Sequence, residues 1–293
     1  MSEPAIREFT ASDGCRIRFR HWPAIEPRGI VIALHGIQSH SGWSKYSSRR
    51  MAEAGFDVWF MDRRGSGRNG FQRGHAIHAM RLINDVRALT QLARQEHRQR
   101  SETAMPVTLM GISWGGKLAT AAAGMFPAEF DQLALLYPGL VPRIRPTWWQ
   151  TIKLNFARDF EIVRRDIPIP LRDPALFTNS PEWQHFIADD PLALHTVTSS
   201  FLNAGRELDR IVRTHRKHIT HPTLLMLAGK DQIIDNARTW SLVSRFPSMQ
   251  LTKLTYANAS HTLEFEPDRE RIFSDLIHWL DTDLRHLVCV SSL

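Results

Sequence analysis

Residues 106–125, PVTLMGISWGGKLATAAAGM, are the stretch from which both the fold and a candidate site can be predicted. The apolar run at 107–110 predicts a buried strand, and the small and helix-forming residues at 117–123 predict a helix. Between them stands the pattern G-x-S-x-G at 111–115. Glycines lack the Cβ atoms that would collide in so tight a turn, and its strain exposes the Ser113 hydroxyl at a helix N-terminus, which favours negative charge. We therefore predict that Ser113 is a nucleophile.

Asp231 is the predicted acid of a three-residue constellation. A serine hydroxyl is a weak nucleophile at neutral pH, so it needs a histidine to accept its proton and an acid to orient that histidine. With a G-x-S-x-G elbow, the acid and then the histidine follow the serine along the chain. Asp231 follows the apolar run at 222–227, and catalytic groups gather at the carboxyl ends of parallel strands. The alternative is that Asp231 only forms a turn or caps a helix, and Asp235 is the better cap for the following helix.

His261 is the predicted base among 14 histidines. It lies in the small-residue loop 258–262, after the last predicted strand and before the last helix. His215, His218 and His221 precede the strand that leads to the acid, so they break the required order. We therefore expect His261 to accept the proton of the serine.

Two backbone N–H groups are expected to bind the negative oxygen of a tetrahedral intermediate. One belongs to Trp114, the residue after the predicted nucleophile. The other belongs to Ile37, beyond His35-Gly36 in the loop that follows the first parallel strand. The alternative is that His35-Gly36 forms an ordinary turn at a strand end.

Strands and helices are predicted to alternate along most of the chain. A hairpin is expected at its start, with strands at 6–9 and 15–21 joined at Asp13-Gly14. Further strands are predicted at 29–34, 56–61, 107–110, 132–137, 222–227 and 250–256, and helices at 42–54, 76–97, 117–123, 236–246 and 268–286. Such alternation requires crossover connections, so we expect an α/β fold with a mostly parallel central sheet flanked by helices.

The alternation stops between residues 141 and 221, where prolines, tryptophans and short helical pieces occur without a strong buried strand. We interpret 141–221 as a helical cap inserted into a core formed by 1–140 and 222–293. Packing of Trp148-Trp149 and Phe201-Leu202 onto the sheet is the favoured interpretation of these apolar pairs. Their contact with an acyl chain, or transiently with a membrane surface, is the alternative.

A net charge of +7 raises the question of nucleic acid as a partner. The basic residues are scattered and form no stripe with interleaved aromatic residues, so no nucleic acid is expected. Cys15 and Cys289 are too few for a disulfide framework, and no apolar run has the length of a signal peptide or a membrane span. We expect free thiols and a cytoplasmic location, and the oligomeric state stays open.

The pattern G-x-G-x-x-G at 65–70 raises the question of a dinucleotide cofactor. It follows the second parallel strand instead of the first, and residues 71–75 separate it from the next helix. No acidic residue closes a second strand about 20 residues later, as a dinucleotide site requires. The chain also lacks C-x-x-C and H-E-x-x-H spacings, so we expect neither a cofactor nor a metal ion.

With these residues in place, the chain resembles the α/β-hydrolase superfamily over nearly its whole length. It looks most like the branch of monoacylglycerol lipases and lysophospholipases, whose relatives include serine aminopeptidases. Besides the elbow, the resemblance rests on His35-Gly36 with His40-Ser41-Gly42, on DRRGSG at 62–67, and on Asp189-Asp190-Pro191-Leu192 in the cap. Asp231 and His261 fall where that branch has its acid and base.

The resemblance implies a serine hydrolase that cleaves small-molecule acyl esters through an acyl-enzyme. Thioesterase or acyltransferase chemistry, and an aminopeptidase activity, stay open on the same triad. A binding module without catalysis is a third alternative. The chain departs from the branch at Ile112, Trp114, Gln38 and Asn69, where His, Met, Gly and Ser are more usual. The bulky Trp114 is expected to reshape the acyl pocket and to decide specificity.

Overall fold

The computed structural model describes residues 3–101, 103–143 and 167–290, and the side chains of the last helix as far as residue 282. Its centre is an eight-stranded sheet. The strands are β1 (Ala5–Thr10), β2 (Arg16–Trp22), β3 (Gly29–Leu34), β4 (Phe56–Met61), β5 (Val107–Ile112), β6 (Gln132–Leu136), β9 (Thr223–Ala228) and β10 (Leu251–Tyr256). Across the sheet they lie in the order β1-β2-β4-β3-β5-β6-β9-β10.

Most of the sheet is parallel. The first two strands form an antiparallel hairpin, and β2 pairs antiparallel with β4. The remaining pairs, from β4 through β3, β5, β6 and β9 to β10, are all parallel. The predicted α/β class with a mostly parallel sheet is therefore confirmed, and the predicted strands β3 and β4 coincide with those observed.

Helices cover both faces of the sheet. They are α1 (Lys45–Glu53), α2 (Ala79–Arg100), α3 (Trp114–Met125), α4 (Pro181–Asp189), α5 (Ser199–His215), α6 (Asn236–Val243) and α7 (Arg269–Val290). Strand β3 is buried along its whole length, and its successive residues belong to two different apolar layers. Ile32 packs in the layer with Leu82 of α2 and Leu118 of α3, whereas Val31 packs in the layer with Met51 of α1 and Phe273 of α7. Burial on both faces is typical of parallel sheets and explains the continuous apolar runs.

The α3 helix begins at Trp114, three residues before the predicted start. The reason is that the chain passes from β5 into α3 through the single residue Ser113. This turn is closely packed: a Cβ atom on Gly115 would lie 2.4 Å from the Leu34 carbonyl oxygen. A Cβ on Gly111 would lie 2.5 Å from the Cα of Gly116. Only glycine fits at these positions, as the pattern predicted.

The segment between β6 and β9 lacks long strands in its described part. It contributes α4, α5 and the two-residue strands β7 (Ile167–Pro168) and β8 (Thr196–Val197), which pair antiparallel. Asp190 ties it to the core, because its Oδ2 accepts a hydrogen bond from Trp43 Nε1 at 2.6 Å and lies 3.0 Å from His40 Nε2. The Leu194 N–H also donates to the Gln38 carbonyl at 2.9 Å. The division into a cap at 141–221 and a core stays a prediction.

No helix in the described part of the chain combines the length and the apolar character needed to cross a bilayer. Cys15 is a free, partly buried thiol, and burial raises its pKa. The side chain of Cys289 and the pair Trp148-Trp149 lie outside the described residues.

The close packing of the elbow predicts a large cost for one added methyl group at residue 115. Gly115→Ala should lower the free energy of unfolding by about 2 kcal/mol or more, because overpacking against backbone atoms forces the strand and helix apart. Urea denaturation measures the effect. Gly70→Ala is the matched control and should be nearly neutral, because a Cβ there meets no atom within 4 Å. Equal stability of the two variants would contradict the argument.

Candidate active site

Ser113 is held in a strained conformation at the end of β5. Its backbone has φ 50° and ψ −121°, a combination that is rare for a residue with a side chain. Three hydrogen bonds fix it. The Ser113 N–H donates to the Leu136 carbonyl at 3.0 Å, and the Ser113 carbonyl accepts the N–H groups of Gly139 at 2.6 Å and Gly116 at 2.8 Å. The side chain is only partly buried, so its hydroxyl can be reached from the adjacent cavity.

His261 joins Ser113 to Asp231. Its Nε2 lies 3.0 Å from Ser113 Oγ, and its Nδ1 lies 2.8 Å from Asp231 Oδ2. A carboxylate accepts only, so Nδ1 carries the hydrogen and Nε2 is free to accept the hydroxyl proton. The structure thus brings together the three residues that the chain order selected, in a geometry suited to nucleophilic attack.

Asp231 is fixed by two further hydrogen bonds. Its Oδ1 accepts the backbone N–H groups of Ile233 at 2.8 Å and Ile234 at 2.9 Å, which leaves Oδ2 for the histidine. The carboxylate is therefore both a turn-forming group and the partner of His261, two roles that the sequence presented as alternatives. Asp235 caps α6 by accepting the Arg238 N–H at 3.0 Å, as predicted.

Two aromatic rings that the sequence did not single out enclose the His261 imidazole. The Tyr137 ring lies edge-on at 4.8 Å between centroids, and the Phe177 ring lies edge-on at 5.9 Å. Burial raises the pKa of the Tyr137 phenol well above its usual value, so the ring is neutral. Tyr137 has φ 37°, a second strained residue beside the site. The sequence signal was available, since Tyr137 ends a buried strand just before Pro138-Gly139.

The two predicted N–H donors lie beside the serine. Ile37 and Trp114 line the same cavity as Ser113. Neither backbone N–H has an acceptor among the described residues. The loop that carries Ile37 approaches closely, because a Cβ on Gly36 would lie 3.3 Å from Ser113 Cβ. Two free donors next to a nucleophile can stabilise a developing oxyanion.

His35 and Arg63 hold the loop that carries Ile37. Burial, with the positive charge of Arg63 as the next cause, lowers the pKa of His35 to about 3, so the imidazole is neutral. Its Nε2 accepts the Arg63 N–H at 2.9 Å, and its Nδ1 donates to the Gly36 carbonyl at 2.7 Å. The Arg63 guanidinium donates to the carbonyls of Gly36 and Ile37, both at 3.2 Å. These hydrogen bonds hold the loop at His35-Gly36 in place, and its role in binding an oxyanion stays a prediction.

Arg63 also stacks on two aromatic rings of the site. Its guanidinium carbon lies 4.8 Å from the Trp114 ring centre and 4.9 Å from that of Phe201. Those two rings stack on each other at 5.0 Å. The guanidinium is buried and has no carboxylate within ion-pair distance in the described chain. The sequence analysis did not single out Arg63. It stands second in the segment DRRGSG at 62–67, a position that varies in the branch that the chain resembles.

The G-x-G-x-x-G segment packs against the Asp62 carboxylate. Asp62 accepts the backbone N–H groups of Ser41 at 2.7 Å and Arg68 at 2.9 Å. A Cβ on Gly67 would lie 2.6 Å from that carboxylate. Gly65 and Gly67 thus serve close packing, whereas Gly70 has open space around it. Within the described residues, no group of His, Cys, Asp or Glu side chains is arranged to hold a metal ion.

A cavity of about 820 Å³ opens beside Ser113. Its apolar wall near the serine includes Trp114, Leu140, Ile169 and Phe201. The volume is typical of small-molecule sites. Phe201 packs on Trp114 and also lines the cavity, and its contact with an acyl chain stays a prediction.

Glu264 is a buried carboxyl in the turn after His261. Its Oε1 accepts the N–H groups of Tyr46 at 2.7 Å and Ser47 at 3.1 Å in the first turn of α1. Its Oε2 has no partner in the described chain. Burial raises the pKa of Glu264 to about 7.

Comparison with protein families gives one match over most of the chain. The family described as serine aminopeptidase, S33, matches residues 25–268. Among curated proteins, a monoacylglycerol lipase of Mycolicibacterium smegmatis is 25% identical, covering 94% of this chain and 96% of that protein. A monoglyceride lipase of Rattus norvegicus is 23% identical, covering 96% of this chain and 90% of that protein.

Solved structures show the same fold. A soluble variant of monoglyceride lipase from Saccharomyces cerevisiae, in complex with a substrate analog, superposes with a TM-score of 0.83 at 19% identity, covering 96% of each chain. A carboxyl esterase from Bacillus coagulans superposes with a TM-score of 0.81 at 16% identity, covering 97% of this chain and 100% of that one. The predicted α/β-hydrolase fold is thereby confirmed.

The raised pKa of Glu264 predicts how stability depends on pH. The folded state holds this proton up to about pH 7, whereas the unfolded state loses it near the usual glutamate pKa of 4.5. The free energy of unfolding should therefore fall as pH rises from about 4.5 to 7, by roughly 2–3 kcal/mol from this group. Glu264→Gln cannot titrate and should remove that decline.

Urea denaturation at pH 5 and pH 8 compares the variant with the parent. Glu270→Gln, at an exposed side chain on α7, is the control and should keep the parental decline. An identical pH dependence in Glu264→Gln and the parent would show that this carboxyl is ionised throughout.

Proposed function

This chain belongs to the serine aminopeptidase S33 family, and we propose on that basis that it hydrolyses carboxylic esters through Ser113, His261 and Asp231. The observation that carries the proposal is the hydrogen-bonded series from Asp231 through His261 to the Ser113 hydroxyl. The lipase and esterase relatives support the same reaction class.

Acylation follows from the placement of the donors and acceptors. Ser113 Oγ attacks the ester carbonyl carbon while its proton passes to His261 Nε2. The carbonyl oxygen becomes negative and accepts hydrogen bonds from the Ile37 and Trp114 N–H groups. Asp231 stabilises the imidazolium. When the carbon–oxygen bond to the alcohol breaks, His261 returns the proton to the leaving alkoxide, and the acyl group stays on the serine.

Deacylation repeats these steps with water. His261 Nε2 accepts a proton as water attacks the acyl-enzyme carbonyl, and the same two N–H groups receive the oxyanion. Collapse of the second intermediate returns the proton to Ser113 Oγ and releases the carboxylic acid.

Arg63 acts as a positioning residue in this mechanism. By donating to the Gly36 and Ile37 carbonyls it orients the peptide units that carry one oxyanion donor. By stacking on the Trp114 ring it restrains the residue that carries the other. Preorganised donors are the largest single source of catalysis in acyl transfer, so their support affects turnover more than binding.

The cavity favours esters of acyl chains over peptides. Its apolar wall beside Ser113 suits an acyl chain, as in the monoacylglycerol lipases that the chain resembles. An aminopeptidase needs a free carboxylate for the substrate ammonium. Asp209 is the one acidic side chain among the described lining residues. It is already paired with Lys117, whose Nζ lies 2.8 Å from Asp209 Oδ1.

Residues 141–221 act in this proposal as a cap that closes the cavity over the serine, with Asp190 as its tie to the core. The free Cys15 thiol supports a reducing, cytoplasmic location. A transient contact with a membrane surface is part of the proposal only as a route by which acyl substrates reach the cap.

Covalent labelling tests the proposed nucleophile. A fluorophosphonate probe should add once to the protein by intact mass, and Ser113→Ala should abolish both the adduct and the hydrolysis of 4-nitrophenyl butyrate. Asp231→Asn should lower kcat by about 10⁴-fold, because the wrong tautomer of His261 is favoured. Asp235→Asn is the matched control and should keep activity. An adduct that persists in Ser113→Ala would refute the assignment.

The role of Arg63 predicts a split between kcat and KM. Arg63→Met keeps apolar contact with Trp114 but loses both hydrogen bonds, so kcat should fall roughly 10- to 100-fold with little change in KM. Arg87→Met is the control, because Arg87 also stacks on a ring, Phe126, but away from the site. Arg63→Lys, which keeps the charge, should fall between parent and Arg63→Met. A folded Arg63→Met with parental kcat would contradict the role.

A further inference from the structure

The far part of the Ser113 cavity is strongly basic. Among its described lining residues, one side chain is acidic and six are basic: Asp209, and Lys117, Arg206, Arg213, Arg216, Arg238 and Arg245. Neither the catalytic steps nor an acyl chain needs a positive charge there. The imbalance therefore calls for a separate explanation.

Four of these arginines form what we call the basic rim: Arg213, Arg216, Arg238 and Arg245. They come from two sides of the cavity, the C-terminal end of α5 and the region of α6. None of the four side chains has an ion pair or a side-chain hydrogen bond in the described part of the chain. Unpaired guanidinium groups that converge on one opening attract anions.

Arginines elsewhere in the molecule are commonly neutralised. Arg64 forms two hydrogen bonds to Asp85, both at 2.6 Å, and Arg87 contacts Glu129 at 2.6 Å. Arg94 likewise lies 3.1 Å from Asp131. Unpaired arginines also occur elsewhere in the described chain, as at Arg98 and Arg271. The basic rim differs from them because four such side chains line one cavity.

A second basic group lies deeper, on the same helix as the elbow. Lys117 is one turn after Ser113 on α3, its side chain is 9% exposed, and it lies 2.8 Å from Asp209. This ion pair offsets the charge of Lys117 with that of Asp209. The net positive charge of the described lining therefore comes from the arginines.

We propose that the basic rim binds an anionic group, a carboxylate or a phosphate, carried by the ester substrate at a distance from its scissile bond. The anion would pair with guanidinium groups that have no acidic partner among the described residues, and the apolar wall would contact the chain between it and the ester. This assignment rests on the proposed ester hydrolysis. Arg213, Arg238 and Arg245 are exposed at the mouth of the cavity, so their positive charges raise the local concentration of an anionic ligand and are screened by salt.

Two matched pairs of soluble esters test the proposal and show which side of the ester carries the charge. For the acyl side, the pair is the 4-nitrophenyl ester of adipic acid with its second carboxyl free or methylated. For the alcohol side, the pair is 1-butanoylglycerol and 1-butanoylglycerol 3-phosphate. In at least one pair, kcat/KM should favour the anionic member by about tenfold at low ionic strength. The preference should shrink toward one at about 0.5 M NaCl.

Charge-neutralising variants locate the effect. Arg213→Gln/Arg245→Gln should lose about fivefold or more of the preference while hydrolysing the neutral members at the parental rate. Arg210→Gln/Lys217→Gln removes the same charge from α5 and the turn after it, at residues that do not line the cavity, and should keep the preference.

The outcomes separate this proposal from the proposed function. Failure of the protein to label at Ser113 or to hydrolyse any neutral ester would overturn the ester hydrolase itself. Hydrolysis of neutral esters with no preference for the anionic member of either pair would overturn only the anion site. A third outcome would also overturn the anion site: the parent shows no substrate preference but sediments with anionic vesicles, and the Arg213→Gln/Arg245→Gln variant does not sediment. That outcome would assign the arginines to a membrane surface.

Discussion

The single-residue passage from β5 into α3 at Ser113 is the constraint on which the rest of the structure depends. The turn requires a strained backbone at Ser113. It also requires glycine at 111 and 115, because neighbouring atoms leave no space for a Cβ there. The turn aims the hydroxyl at His261 and leaves the Trp114 N–H without an acceptor in the described chain. The strained Ser113 backbone has a cost in conformational energy. It persists because the packing of β5 and α3 on either side fixes it.

Much of the fold and the core of the candidate site could be predicted from local sequence. The continuous apolar run at 29–34 marked β3, and the apolar run at 58–61 marked most of β4, because strands buried on both faces consist mainly of apolar residues. The glycines around Ser113 marked the elbow because the packing excludes any side chain there. The fold class and the family resemblance are confirmed, and the catalytic assignments remain our proposal. Helix limits were less accurate, since α3 begins directly at Trp114.

Contacts between distant segments could not be predicted, because no local pattern encodes them. Arg63 looks like one of two adjacent surface arginines in the sequence, yet it is buried against the loop of Ile37 and the Trp114 ring. Phe177 reaches His261 from the segment between β6 and β9, and nothing in its neighbourhood along the chain indicates that. The unpaired state of the basic rim is likewise visible only when the residues from α5 and α6 are seen around one cavity.

The stacking of Trp114 on Phe201 has a consequence for how this protein can evolve. In the proposed mechanism Trp114 supplies a backbone donor to the reaction, and its side chain packs on Phe201 of α5. Substitutions that reshape the segment for a new substrate will shift that ring, and with it the peptide unit that faces the serine. Specificity and turnover are therefore not independent traits here, and mutations that alter them should show epistasis centred on Trp114.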